Sequence, residues 1–124
     1  MICLPAGQLL KVTTMIMTKE EMYHAELASQ CKGLAWGYNN SLGFAPTDKL
    51  KNLIRGQVRG YELASKALKV GDSLGWLNKL IGDYAVMYAE ETEPAKRDIL
   101  EGRLEALRHV RDAIVDDELL YDEE

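Results

Sequence analysis

Soft metal ligands and nucleophiles are scarce in this chain. Among 124 residues there are two cysteines, Cys3 and Cys31, and two histidines, His24 and His109. Two cysteines set neither a disulfide framework nor a zinc cluster, so reduced thiols in a cytoplasmic protein are the expectation. Proline is nearly as rare. Only Pro5, Pro46 and Pro94 occur, and the last two fall between helical patterns. No apolar run approaches the ~18 residues of a membrane span. The first residues lack a basic start, an unbroken apolar core and a cleavage site, and so do not read as a signal peptide. There is no phosphate loop, no G-x-S-x-G elbow and no Cys/His pair set by a motif, so nothing here specifies a chemistry.

What is present is ordinary for a soluble globular domain: 47% hydrophobic and 28% charged residues, enough for one modest core. The net charge of -5 argues against general nucleic-acid binding. The charge is unevenly divided. Residues 1–71 carry nine Lys/Arg and five Asp/Glu; residues 72–124 carry six and fifteen. Halves of opposite sign attract each other within one chain or between copies, or else form two solvated faces.

The spacing predicts four helices between an extended N-terminal arm (1–17) and an acidic tail (116–124), with the helical domain spanning 18–115. The arm is apolar and β-branched from Leu9 to Met17, and is expected to pack on something, such as a neighbouring copy. Met17-Thr-Lys-Glu-Glu also resembles a natural start, which would make residues 1–16 an upstream extension. Thr18 and Glu21 form a capping box for the first helix, whose buried face is Tyr23, Leu27, Cys31, Leu34 and Tyr38. Gly37 is the expected stop, with 37–47 a loop. The second helix starts after Pro46, capped by Thr47 or Asp48, and ends at Gly71. Asp72 or Ser73 caps the third after almost no loop. The heptad-like series Leu74, Leu77, Ile81, Tyr84 and Tyr88 is its apolar face and a candidate interaction face. Glu90, Glu91 and Glu93 oppose the helix dipole, so that helix should fray before Pro94 opens the fourth. The fourth is polar on one side, with Arg97–Glu101 and Arg108–Asp112 pairs expected. The fold class is all-α: a four-helix antiparallel bundle or two helical hairpins.

The second helix carries two interior glycines, Gly56 and Gly60, which together disfavour it by about 2 kcal/mol relative to alanine. Close backbone approach to another helix would offset that, and Gly102 with Ala106 offers a matching strip on helix four. The strip could equally face a second copy. The two stretches align at an offset of 46 residues, Leu53-Ile54-x-Gly56 with Ile99-Leu100-x-Gly102; a duplicated helix and shared helical patterning both account for that.

The chemistry-bearing residue types form only weak motifs. Glu21-Met22-Tyr23-His24 has the E-x-x-H form of di-iron bundles, but a second motif is missing, so no metal is expected. Magnesium-dependent all-α nucleotide pyrophosphohydrolases need an E-x-x-E pair followed by E-x-x-D; Asp98–Glu101 and the Glu90–Glu93 cluster do not make that order. No cofactor is implied. Lys51, Arg55, Arg59 and Lys66 form a basic stripe along helix two. It lacks interleaved aromatics, so it suits an acidic protein better than phosphates.

The stretch Leu100-Glu-Gly-Arg-Leu-Glu-Ala-Leu-Arg108 resembles helices of small all-α accessory proteins of tailed bacteriophages. The resemblance implies virion assembly or host takeover, and carries no site residue across. The reading is a non-enzymatic protein that binds other proteins, copies of itself included, in the cytoplasm or in a virion. The alternatives are an acidic inhibitor that mimics nucleic acid on a host enzyme, and the magnesium-dependent pyrophosphohydrolase.

Overall fold

A computed structural model describes residues 18–122, with side-chain surroundings for 18–116; the arm 1–17 lies outside the described residues. The described chain is all-α. Helix α1 spans Lys19–Ser41 and runs into a 3-10 turn, Leu42–Phe44. Helices α2 (Asp48–Ala67), α3 (Ser73–Glu90) and α4 (Pro94–Asp122) follow.

Local chemistry sets most of these ends. Thr18 Oγ1 accepts from Glu21 N at 3.0 Å, and Thr47 Oγ1 from Leu50 N at 3.1 Å. Asp72 Oδ1 caps α3 through Gly75 N at 3.1 Å. A Cβ on Gly75 would collide with that carboxylate, so glycine here admits the cap. Three ends differ from expectation. Helix α1 passes through Gly37 and stops only near Pro46, which holds Ala45 extended at φ -68°, ψ 127°. Helix α2 ends before Gly71, its last turn tightened by Lys69 N to Lys66 O (3.2 Å) and Val70 N to Ala67 O (3.3 Å). Helix α4 continues to Asp122, so no helix end marks the expected tail boundary at 115–116. The expected Arg97–Glu101 and Arg108–Asp112 pairs are replaced. Arg97 turns back to Glu91 O (3.1 Å) and lies over the Tyr88 ring (4.3 Å), clasping the α3–α4 turn. Asp112 pairs with Arg111 at 3.0 Å.

The spatial order is α1, α2, α4, α3. The most extensive contact is between α2 and α4, with α1 packed on α2 and α3 on α4. In an up-down antiparallel bundle, helices two and four would be diagonal; here they form the central pair, and they run parallel. Gln57 Nε2 donates to Glu105 Oε2 (3.2 Å) and the Tyr61 hydroxyl meets His109 Nδ1 (2.9 Å), one level further along both helices. The crossing is backbone on backbone. A Cβ placed on Gly56 would collide with Ile99 O and stand 2.8 Å from Arg103 N; one on Gly102 would collide with Leu53 O and stand 3.1 Å from Gln57 N. A Cβ on Gly60 would lie 2.7 Å from Arg103 O and 2.7 Å from Ala106 Cβ.

These contacts are reciprocal at an offset of 46: Gly56 meets Ile99 and Arg103 as Gly102 meets Leu53 and Gln57. The offset extends through both hairpins. Asp48 and Pro94 begin their helices 46 apart. Buried Cys31, Ala35 and Ile54 correspond to buried Leu77, Ile81 and Leu100; Tyr61, Ala64 and Leu68 correspond to Leu107, Val110 and Ile114. The chain is thus two similar hairpins, α1–α2 and α3–α4, related by a near two-fold that runs along the central pair.

The crossing predicts opposite signs for two glycine-to-alanine changes. Gly56→Ala must push two backbones apart, and should destabilise by about 2 kcal/mol or more despite alanine's better propensity. Gly33, with nothing within 4 Å of its added Cβ, should gain stability on the same change, by about 0.5–1 kcal/mol. Urea midpoints for the two variants measure both.

Candidate interaction surfaces

The structure uses the expected assembly seams within the chain. Gly56, Gly60, Gly102 and Ala106 all lie in the α2–α4 crossing, each turned to the other helix of the same chain, with Gly60 against Ala106. The α3 series is likewise internal. Leu77 and Ile81 are buried, and Leu74, Tyr84 and Tyr88 pack around the same core. The physical reason is the short α3–α4 turn, which brings α4 alongside the α3 apolar face before any partner can reach it. Arg103 reinforces this contact, its guanidinium 4.8 Å from the Tyr84 ring centre. The basic stripe stays outside: Arg55, Arg59 and Lys66 are exposed, and Lys51 half-buried. Arg55 reaches Asn52 Oδ1 (2.9 Å) and Arg59 pairs with Glu62 (3.4 Å), both within α2. Lys69 adds to the positive surface of this hairpin; the neighbouring Lys32 side chain pulls its pKa down.

A surface the pattern did not single out lies on α1 and the turn after it. From Gly33 to Thr47 there is no charged residue. Trp36 is 71% exposed and Phe44 88%, unusual for side chains of that size. A shallow groove along α1 is lined by Gln30, Gly33, Leu34, Gly37, Tyr38 and Ser41. Gly33 and Gly37, one turn apart, leave open space where Gly56 and Gly60 meet a helix. The uncharged run was the available signal. It reads as a loop when Gly37 is taken for a helix stop.

No protein-family model, no curated protein and no solved structure matches this chain. Its surfaces must therefore be interpreted from their own chemistry.

No group of three or more His, Cys, Asp or Glu side chains among the described residues could hold a metal ion. His24 of the E-x-x-H motif is half-buried and sits 3.4 Å from Ser73 Oγ, where α1 meets the start of α3. Glu90 ends α3, and Glu91 accepts from the Glu93 backbone N–H (3.2 Å), a turn cap. Two buried groups are strongly perturbed, Tyr61 and Cys31. Tyr61 stacks on Tyr38 with ring centres 5.8 Å apart and reaches His109 at 2.9 Å. Burial, then the neighbouring Tyr38, Cys31 and Glu105, pushes its phenol up to about 12. Burial likewise raises the Cys31 thiol from 9.0 to about 11.

Both groups are held neutral by the fold. A raised pKa contributes stability that is complete below the unfolded value and lost as pH climbs through the folded one. The urea midpoint should therefore be flat from neutrality to about pH 9 and fall between pH 9 and 12. Tyr61→Phe should remove the part of that fall above pH 10, at the expense of about 1 kcal/mol at neutral pH for the lost hydrogen bond. A midpoint independent of pH over this window would refute the assignment.

Proposed function

We propose that this chain is a non-enzymatic helical protein that works by binding other proteins, copies of itself among them. The observation that carries the reading is the uncharged surface from Gly33 to Thr47, with Trp36 and Phe44 turned to solvent in a chain that is 28% charged. Tryptophan is among the side chains enriched at the energetic centre of protein interfaces. No helix among the described residues is long and apolar enough to cross a membrane, so these aromatics are not part of a spanning helix there. The resemblance at Leu100–Arg108 to accessory proteins of tailed phages supports structural or host proteins as further partners, met in the cytoplasm or in a virion.

The test is Trp36→Ala with Phe44→Ala in the full chain. Both residues are exposed, so circular dichroism and the urea midpoint should hold. Sedimentation velocity should show the wild type associating with rising concentration and the double variant shifted towards monomer. Capture from a host extract identifies foreign partners: capsid or portal protein supports the assembly role, while a polymerase or nuclease supports the acidic-inhibitor role. A wild-type chain that stays monomeric and captures nothing that the double variant fails to capture would overturn the proposal.

A further inference from the structure

At the offset of 46 residues the buried positions of the two hairpins largely agree, but four charged positions on α2 and α4 are inverted in sign. Arg55 corresponds to Glu101, and Arg59 to Glu105. Glu62 corresponds to Arg108, and Lys66 to Asp112. Each set follows the spacing i, i+4, i+7, i+11, which is one face of a helix. All eight side chains are exposed save Glu101, which is half-buried. The match depends on direction. Laid parallel, the two sets oppose unlike charges at these four levels, while Lys51, one turn before them, corresponds to Arg97 of the same sign. Laid antiparallel, Arg59 would face Arg108 and Glu62 would face Glu105.

Within one chain no ion pair joins the two stripes, although Glu105 accepts from Gln57 of α2 at 3.2 Å. The ion pairs among the described residues are local, Arg59–Glu62, Lys96–Glu93 and Arg111–Asp112, and none joins α2 to α4. The near two-fold explains this. It runs along a parallel helix pair, so equivalent positions point to opposite sides of the molecule. A stripe on one side and its complement on the other can be satisfied by translation, one copy after the next.

We propose that copies of this chain associate head to tail, with the α2 stripe of one copy lying parallel to the α4 stripe of the next. The proposal rests on the self-association reading above but uses a different surface from Trp36 and Phe44. The occupant of each stripe is a second copy, because the complementary pattern in the same register is present on this chain itself. The acidic side also has an apolar floor: Ala85, Tyr88 and Leu104 line a groove with Glu101, Glu105 and Arg108. A contact between unlike faces is heterologous, so it propagates into a chain unless its rotation closes a ring. Exposed ion pairs are individually weak and screened by salt over ~10 Å at 0.1 M, so the association should be salt-sensitive.

The experiment is sedimentation velocity on the full chain at low and high salt, with two charge-reversed variants, Arg55→Glu with Arg59→Glu, and Glu101→Arg with Glu105→Arg. Circular dichroism checks that each is folded. Each variant alone should self-associate about tenfold or more weakly than wild type at low salt. An equimolar mixture should recover association, because the basic α2 of one variant meets the acidic α4 of the other. Wild-type association should fall towards that of the variants at high salt. Variants that associate like wild type, or a mixture no larger than its components, would overturn the head-to-tail contact. If in that case Trp36→Ala with Phe44→Ala still dissociates the protein, the α1 surface stands as the self-association site and only the present proposal fails.

Discussion

The contact on which the rest of this molecule depends is the backbone-to-backbone crossing of α2 and α4. Helices normally stay ~8–10 Å apart because side chains intervene. At Gly56, Gly60 and Gly102 only hydrogens intervene, and a methyl group at Gly56 or Gly102 would strike a carbonyl oxygen of the other helix. The two glycines in α2 disfavour its helix by about 2 kcal/mol, a sizeable share of a stability of ~5–15 kcal/mol. Close packing, with glycine Cα–H groups directed at the Ile99 and Leu53 carbonyls, offsets that. Once the pair is set, α1 and α3 have fixed places on its flanks, and Leu107, Val110 and Ile114 can share one core with Leu27, Ala28 and Cys31.

The same crossing relates two hairpins by a near two-fold, and selection for a fold and for a surface leave different marks on such a pair. Buried positions match because both halves fill the same shape of space. Exposed positions are free of that constraint, and four of them on α2 carry charges opposite to their counterparts on α4. The chain combines an internal self-complementary contact with outer faces that complement one another only between molecules. Its uncharged α1 surface adds a second place where apolar area stays in water unless a partner covers it.

Much of the fold was legible in the residues. Thr18, Thr47 and Asp72 cap helices, and Pro94 opens one, because their effects act within a single turn. The glycine seam was legible because an interior glycine demands an explanation. The tyrosine cluster and the α1 surface were not. Gly37 carries a local preference for ending a helix, but Pro46 and the packing of Ala35 and Tyr38 extend α1 beyond it. Residues 38–41 thereby passed from an expected loop into α1, which puts Trp36 on the surface of a continuous helix.

The sequence by itself determined that the described chain is helical, where its four helices begin and that Gly56, Gly60 and Gly102 lie against something, since caps, periodicity and propensity are short-range properties. Which helices touch was decided by the tertiary structure. An amphipathic face shows only that it will be buried, and a small-residue strip fits a neighbour in the same chain as well as one in another copy. The short α2–α3 and α3–α4 links, acting with the shape of the glycine crossing, chose the internal partner. That choice left the charge stripes and the Trp36–Phe44 surface as the faces open to other molecules.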